Sequence, residues 1–250
     1  MQQNLVQYIY GIADNALILG QRLGELCGHG PSLETDIAMT NISLDLLGQV
    51  RSYYQYAAKL IGEDTTEDSI AFLRKEREYK NVLLVEQPNT DFAYSITRQF
   101  LFDVFHLLLL EELQNSSDAT ISAIAKKSIK EVSYHTRFSS DWIRRLGDGT
   151  EESHNKIQEA INDLWTFTDE LFHQTDADKA MVSEKIGVDV TQLKAPFYKK
   201  VSVILQESTL QTPELQYFQK GGKQGIHSEH MGYILTEMQF MQRMYPNMNW

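Results

Sequence analysis

Two histidines and several acidic residues lie within the longest apolar-periodic segments, where they could hold metal ions. A carboxylate di-iron site inside a four-helix bundle takes a Glu from each of two helices and a Glu-x-x-His pair from each of the other two. The three-residue spacing places the carboxylate and the imidazole on one face of a helix, so both reach one metal. The pattern therefore predicts iron chemistry only where both pairs are complete.

Neither Glu-x-x-His pair is complete in the four longest helical segments, where a bundle site would lie. At the required spacing His135 is preceded by Val132, which has no ligand atom. Another segment offers Asp45, but Gly48 stands where the second imidazole belongs. Glu131 lies four residues before His135 and could still share roughly the same helix face. These residues predict a degenerate metal site that binds no metal, and no catalytic residue is assigned.

Asp103 and His106 have metal-ligand spacing in a very apolar segment, although this helix should supply only a lone carboxylate. We interpret both His106 and His135 as hydrogen-bonded core histidines, the commoner role of a histidine on an apolar helix face. A buried carboxylate without a partner is costly, so we expect Asp103 to pair with a donor from a neighbouring helix. The first helix offers Asp14 and no better candidate.

The elements that position these residues are helices. The five prolines and nine of the fourteen glycines fall at breaks between segments of 3.6-residue periodicity, and no alternating β-branched run occurs. We predict an all-α fold with a four-helix core at 3–27, 33–61, 91–113 and 118–146. The single long connection at 62–90 indicates the ferritin-like topology, with additional C-terminal helices.

Finer features of the pattern give further predictions. The connection should contain a helix at 67–85, opened by Thr65 and Asp68, and the last helix should begin after Ser228 and end before Pro246. No linker divides the chain, so residues 1–250 are predicted to form one domain. The predicted core stripe of the second helix is Ile37, Leu44, Leu47, Tyr54, Ala58 and Ile61.

Composition excludes several classes of function. The net charge of −11, without a basic run, disfavours nucleic acid and anionic membranes as partners. Cys27 is the sole cysteine, which excludes a disulfide framework within one chain. The most apolar stretch, 101–110, is too short to span a bilayer. Without a secretory signal at its start, the sequence predicts a cytoplasmic protein.

Two further segments have possible binding roles. The basic loop 220–225 is rich in glycine but does not match a phosphate-binding motif, so a flexible turn is the preferred interpretation. The last helix and tail hold five of the eight methionines. We predict a partner interface at Met238, Met241, Met244 and Trp250, since methionine and tryptophan are common at binding surfaces. Inward packing of the methionine stripe is an equally weighted alternative.

Four segments resemble the family of the C subunit of bacterial phenylacetyl-CoA 1,2-epoxidases. They are NALILGQRLGELCGHGPSLETDIAMTNISLDLLGQVRSYYQYAA (15–58), LLVEQPNTDFAYSITRQFLFD (83–103), KSIKEVSYHTRFSSDWIRRLGDGT (127–150) and GGKQGIHSEHMGYILTEMQFMQR (221–243). The likeness extends, in order, over essentially the whole chain.

This resemblance implies a non-catalytic, structural, ferritin-like chain that supports the related catalytic A subunit of the epoxidase in phenylacetate degradation. The catalytic subunit would hold the di-iron centre, and its Lys-Glu-Glu-x-x-His motif falls here on Lys130 to His135, with Val132 at the ligand position. The complex would epoxidise the ring of phenylacetyl-CoA with O2, taking electrons from NADPH through a reductase subunit that carries FAD and an iron–sulfur cluster. This chain would need no cofactor of its own.

Two alternatives stay open at this point. The first is an independent ferritin-like di-iron oxidase, which Val132 and Gly48 disfavour. The second is a metal-free helical module that binds an acyl-CoA or another protein.

Overall fold

The computed structural model describes residues 1–62, 64–215, 217–246 and 248. Within these ranges all regular secondary structure is helical, which confirms the all-α prediction. The α-helices are α1 (Gln2–Glu25), α2 (Leu33–Ile61), α3 (Glu67–Phe72), α4 (Phe92–Leu113), α5 (Ala119–Gly147), α6 (Glu151–Trp165), α7 (Asp176–Ser183), α8 (Lys194–Glu207) and α9 (Glu229–Met244).

Three of the four long helices begin at polar capping residues. The side chains of Ser32, Asp91 and Asp118 accept hydrogen bonds from backbone N–H groups in the first turns of α2, α4 and α5. These groups have no partner within the helix, so each cap fixes where a helix starts. Gly62 ends α2 at a φ of 76°, a conformation that glycine adopts readily.

The predicted four-helix core is present. Helix α1 packs against α2 and α4 against α5, and α2 also contacts α5. Glycine brings the first pair close together: Ser43 Oγ donates a 2.7 Å hydrogen bond to the carbonyl of Gly20, whose added Cβ would lie 3.4 Å from Leu47. The two helix pairs enclose a buried centre, and the long connection between them gives the ferritin-like arrangement.

The inward face of α2 differs from the predicted stripe. Ile37, Leu44 and Ile61 are 52%, 60% and 41% exposed, whereas Tyr54 and Ala58 are buried as predicted. The inward-facing residues are instead Met39, Ile42, Ser43, Leu46, Gln49, Val50, Tyr53, Tyr54, Ala57 and Ala58. Buried Ser43 and Gln49 interrupt the apolar pattern, which is why hydrophobicity alone selected the wrong face.

The helix predicted at 67–85 is much shorter. Helix α3 ends at Phe72 and is capped by Thr66, which exchanges hydrogen bonds with Ser69. Irregular chain with two short 3₁₀ turns, Glu76–Glu78 and Leu83–Glu86, completes the connection. Long-range hydrogen bonds replace those of a helix there, so local propensity did not reveal the end of α3.

A buried ion pair fastens this connection to the bundle. The guanidinium of Arg74 makes two hydrogen bonds, 2.6 and 3.0 Å long, to the carboxylate of Asp14 on α1. It also lies 4.3 and 4.1 Å from the ring centres of Tyr10 and Tyr79. Gln239 of α9 donates to the carbonyl of Arg74, so the last helix packs on the same anchor. Asp14 therefore has a structural partner and does not point to a metal.

Among the described residues, none of the helices combines the length and the apolar character that a bilayer span requires.

Candidate functional site

The centre of the bundle joins Asp45 of α2 to His135 of α5. Their Oδ2 and Nε2 atoms are 3.0 Å apart, and the His135 side chain is fully buried. Burial lowers the pKa of His135 although Asp45 opposes the shift, so the imidazole is neutral at pH 7 and donates from Nε2. The arrangement is a hydrogen bond to a carboxylate rather than an ion pair.

The positions that should complete the ligand set hold no ligand. Val132 is completely buried among apolar side chains, and a Cβ added to Gly48 would meet no atom within 4 Å. Glu131, which sequence spacing left open as a substitute, accepts a 3.0 Å hydrogen bond from Gln49 Nε2. The carboxylate nearest to His135 in sequence is thus held by an amide on α2.

Asp103 of α4 lies within the core and takes two hydrogen bonds. Gln99 Nε2 donates to Oδ1 at 2.6 Å, and Ser139 Oγ of α5 donates to Oδ2 at 2.8 Å. Burial raises the pKa of Asp103 to about 8 in spite of these bonds, so most of the carboxyl group is protonated at pH 7. The expected donor from a neighbouring helix is confirmed in Ser139. An aspartate that binds iron is ionised, whereas Asp103 is mostly protonated.

His106, one turn after Asp103, is also buried and neutral. Burial, together with the nearby His135, lowers the pKa of His106 to about 3. Its ring centre lies 5.1 Å from that of Phe102, and its Nδ1 has no hydrogen-bond partner in the described structure. Both histidines are buried in the core, as expected. The expected hydrogen bond to a side chain is found for His135 but not for His106 in the described structure.

These residues do not fit a di-iron centre. Across residues 1–62, 64–215, 217–246 and 248, no three His, Cys, Asp or Glu side chains come close enough together to hold a metal ion. Each carboxyl group already has a hydrogen-bond partner in the protein. Asp45 is bonded to His135, Asp103 accepts from two neutral side chains, and Glu131 accepts from Gln49. The bundle centre is a hydrogen-bonded contact between α2, α4 and α5.

Sequence reasoning missed three members of this polar centre. They are Gln49, Gln99 and Ser139, all buried. Each lies four residues from a residue that was selected, namely Asp45, Asp103 and His135, and a four-residue spacing keeps two side chains on one helix face. A search for amide and hydroxyl side chains four residues from each selected residue, rather than for metal ligands alone, would have found them.

The methionines of α9 divide between core and surface. Met231 is fully buried and Met238 packs partly buried against the core, whereas Met241 and Met244 are 41% and 57% exposed. Tyr233 and Phe240 are also exposed on this helix. Trp250 lies outside the described residues. Inward packing thus holds for Met231 and Met238, and the exposed apolar surface of α9 comprises Tyr233, Phe240, Met241 and Met244.

The glycine-rich loop is a turn whose backbone is already occupied. The N–H groups of Gly221 and Lys223 are directed at the carboxylate of Glu170, at 2.7 and 3.4 Å. Gly225 has a φ of 80°, as a tight turn requires. No strand precedes the loop in the described structure, so these N–H groups do not form a phosphate cradle.

Known proteins resemble this chain along its whole length. A family model described as "Phenylacetic acid catabolic protein" matches residues 1–250. The chain is also 49% identical over 246 residues to the C subunit of 1,2-phenylacetyl-CoA epoxidase from Escherichia coli (strain K12). That match covers 98% of this chain and 99% of the relative.

Proposed function

The chain belongs to the phenylacetic acid catabolic protein family, and we propose that it is the non-catalytic C subunit of a phenylacetyl-CoA 1,2-epoxidase. In this role it supports the fold and position of the related catalytic subunit, which carries out the reaction in phenylacetate degradation. The relative's name describes a subunit, so that enzyme contains more than one kind of chain. A cytoplasmic location remains part of the proposal.

The observation that carries the non-catalytic role is the chemistry of the bundle centre. Val132 fills one ligand position, and Asp45 is bonded to a neutral His135. An iron-binding site needs charged carboxylates free to bind the metal, and burial instead leaves Asp103 largely protonated. These side chains stabilise helix packing, which is what a supporting subunit requires.

The cofactors follow from this assignment. We assign the di-iron centre to the catalytic subunit, and NADPH, FAD and the iron–sulfur cluster to the reductase subunit. The present chain would supply neither a ligand to the iron nor a group that touches the reacting ring.

For the contact with the catalytic subunit we propose the exposed apolar surface of α9. Methionine side chains adapt to a partner's shape, and aromatic residues contribute much of the binding energy at interfaces. Met241 and Met244 are accessible without unpacking the core, whereas Met238 is partly committed to the fold.

The test is co-expression of the full chain with a tagged homologue of the catalytic subunit from an epoxidase of this family. We expect a stable complex on size-exclusion chromatography, and turnover of phenylacetyl-CoA only when the reductase is added. Failure of the two chains to associate would contradict the proposal. If the chain by itself bound acyl-CoA, without the catalytic subunit, the helical binding module would replace it, and iron-dependent oxidation by the chain alone would establish the independent oxidase.

A further inference from the structure

We propose that a cavity beside α1, separate from the bundle centre, binds a small organic carboxylate with an apolar body. The cavity has a volume of about 240 Å³ and lies between α1, α4, α7 and the glycine-rich loop. Its polar lining includes Tyr8, Lys80, Asp178 and Lys223, and its apolar wall includes Ile12, Phe105, Leu109 and Val190. The proposal does not depend on the function assigned above.

The ammonium of Lys223 supplies the main attraction for an anion. It is partly buried and donates to two carbonyls, those of Leu171 and His173, at 3.2 and 2.8 Å. An ammonium has three donors, so one hydrogen bond remains for a ligand. Within the described structure no carboxylate forms an ion pair with it, although Asp178 and Glu170 are near enough to influence its pKa.

The neighbouring carboxylates are engaged elsewhere. Asp178 accepts from the backbone N–H and the hydroxyl of Thr175, which caps α7. Glu170 accepts from backbone N–H groups of the glycine-rich loop and from that of Leu83. Burial lowers the pKa of Lys223 while these two carboxylates oppose the shift. A ligand carboxylate at the free donor would stabilise the charged ammonium further.

Tyr8 and Lys80, two further lining residues, carry donor groups. The hydroxyl of Tyr8 accepts a 3.0 Å hydrogen bond from the N–H of Val188, and its own proton has no protein acceptor in the described residues. Lys80 also belongs to the lining, and its ammonium makes one 3.2 Å hydrogen bond to the carbonyl of Arg77. With two ammonium groups and one carboxylate, the charged side chains of the lining sum to +1 in a chain of net charge −11.

The volume and the apolar wall set the size of the ligand. Pockets for drug-sized molecules are about 300–1,000 Å³, so this cavity suits a smaller molecule. Ile12, Phe105 and Leu109 would cover its apolar part, while the carboxylate faced Lys223 and Tyr8. Gly11 opens onto the cavity, since a Cβ added there meets no atom within 4 Å. The cavity therefore combines room for a small molecule, positive charge and an apolar wall.

The test measures binding of benzoate to the full chain by isothermal titration calorimetry and saturation-transfer NMR. Neutral benzamide and cationic benzylamine have the same ring and differ in charge. We expect benzoate to bind with a Kd below about 1 mM, and at least tenfold more tightly than either analogue. Benzylamine or benzamide binding as tightly as benzoate, or no binding by any of the three, would overturn the proposal.

Three variants locate the binding. Lys223→Met removes the ammonium, and Gly11→Leu fills the cavity while improving helix propensity in α1. Each should weaken benzoate at least tenfold, and Gly11→Leu should keep the wild-type thermal midpoint or raise it. Lys220→Met, in the same loop but outside the cavity lining, is the matched control and should bind as the wild type does. Unchanged benzoate affinity in both cavity variants would place the binding elsewhere and refute this site.

Discussion

The imidazole of His135 on α5 lies 3.0 Å from the carboxylate of Asp45 on α2, in the part of the bundle where ferritin-like di-iron proteins bind their metal. The His135 side chain is fully buried, while that of Asp45 remains 39% exposed. Since burial keeps His135 neutral, the pair is a directed hydrogen bond between two helices. His135 and Asp45 are residue types that bind metals in other proteins, but here they hold α5 and α2 together.

The first prediction concerns the protonation of Asp103. Its folded pKa of about 8 lies above the value of about 3.9 for an unfolded aspartate. Stability from this group is therefore complete below pH 4 and is lost as the pH rises toward 8. Asparagine does not titrate. The free energy of unfolding of Asp103→Asn, relative to that of the wild type, should therefore rise by about 1 kcal/mol per pH unit between pH 5 and 8, as measured by urea denaturation.

Asp141→Asn, on the exposed part of α5, provides the comparison for that series. Its side chain is half exposed and bonded to Arg144, so its difference from the wild type should stay nearly constant over the same pH range. A constant difference for Asp103→Asn as well would show that Asp103 is ionised in the folded protein.

The second prediction concerns the ion pair of Asp14 with Arg74. Arg74→Met leaves a buried carboxylate without its partner and should cost about 3–5 kcal/mol of unfolding free energy at pH 7. The double variant Asp14→Asn/Arg74→Met should lose less than the two single variants added together. The half-exposed pair of Arg144 and Glu207 serves as a control, where Arg144→Met should cost no more than about 1 kcal/mol. If Arg74→Met also lowered the free energy of unfolding by no more than about 1 kcal/mol, the buried pair would not stabilise the fold.

The third prediction concerns the proposed contact with the catalytic subunit. Met241→Asp should weaken the complex at least tenfold, because it places a charge on an exposed apolar surface, while His135→Ala should leave association and turnover near wild type. Thr236→Asp introduces the same charge at an exposed polar position of α9 and is the matched control. Kd values from biolayer interferometry and turnover of the reconstituted complex would decide. Loss of turnover in His135→Ala with assembly intact would show that the bundle centre takes part in catalysis.

The sequence predicted the helical class and the four-helix core because capping residues and glycine breaks are local signals. The irregular connection escaped prediction, since its form depends on distant contacts such as those of Arg74 with Asp14. The same reason explains the misplaced face of α2: Gln49 looks like a surface residue until Glu131, 82 positions away, is beside it. Pairings between helices carry no short-range sequence signal. The missing ligand, by contrast, was visible in the sequence, because valine stands at position 132, three residues before His135.

Iron content separates a supporting chain from an iron enzyme. The full chain, expressed alone in iron-replete medium and again together with the catalytic subunit, would be analysed for iron by elemental analysis after purification. We expect negligible iron in the chain alone and about two irons per pair of chains in the complex, all lost when the Glu-x-x-His motif of the catalytic subunit is substituted. About two irons retained by the well-folded chain alone would contradict this expectation and make Asp45, Asp103 and His135 metal ligands.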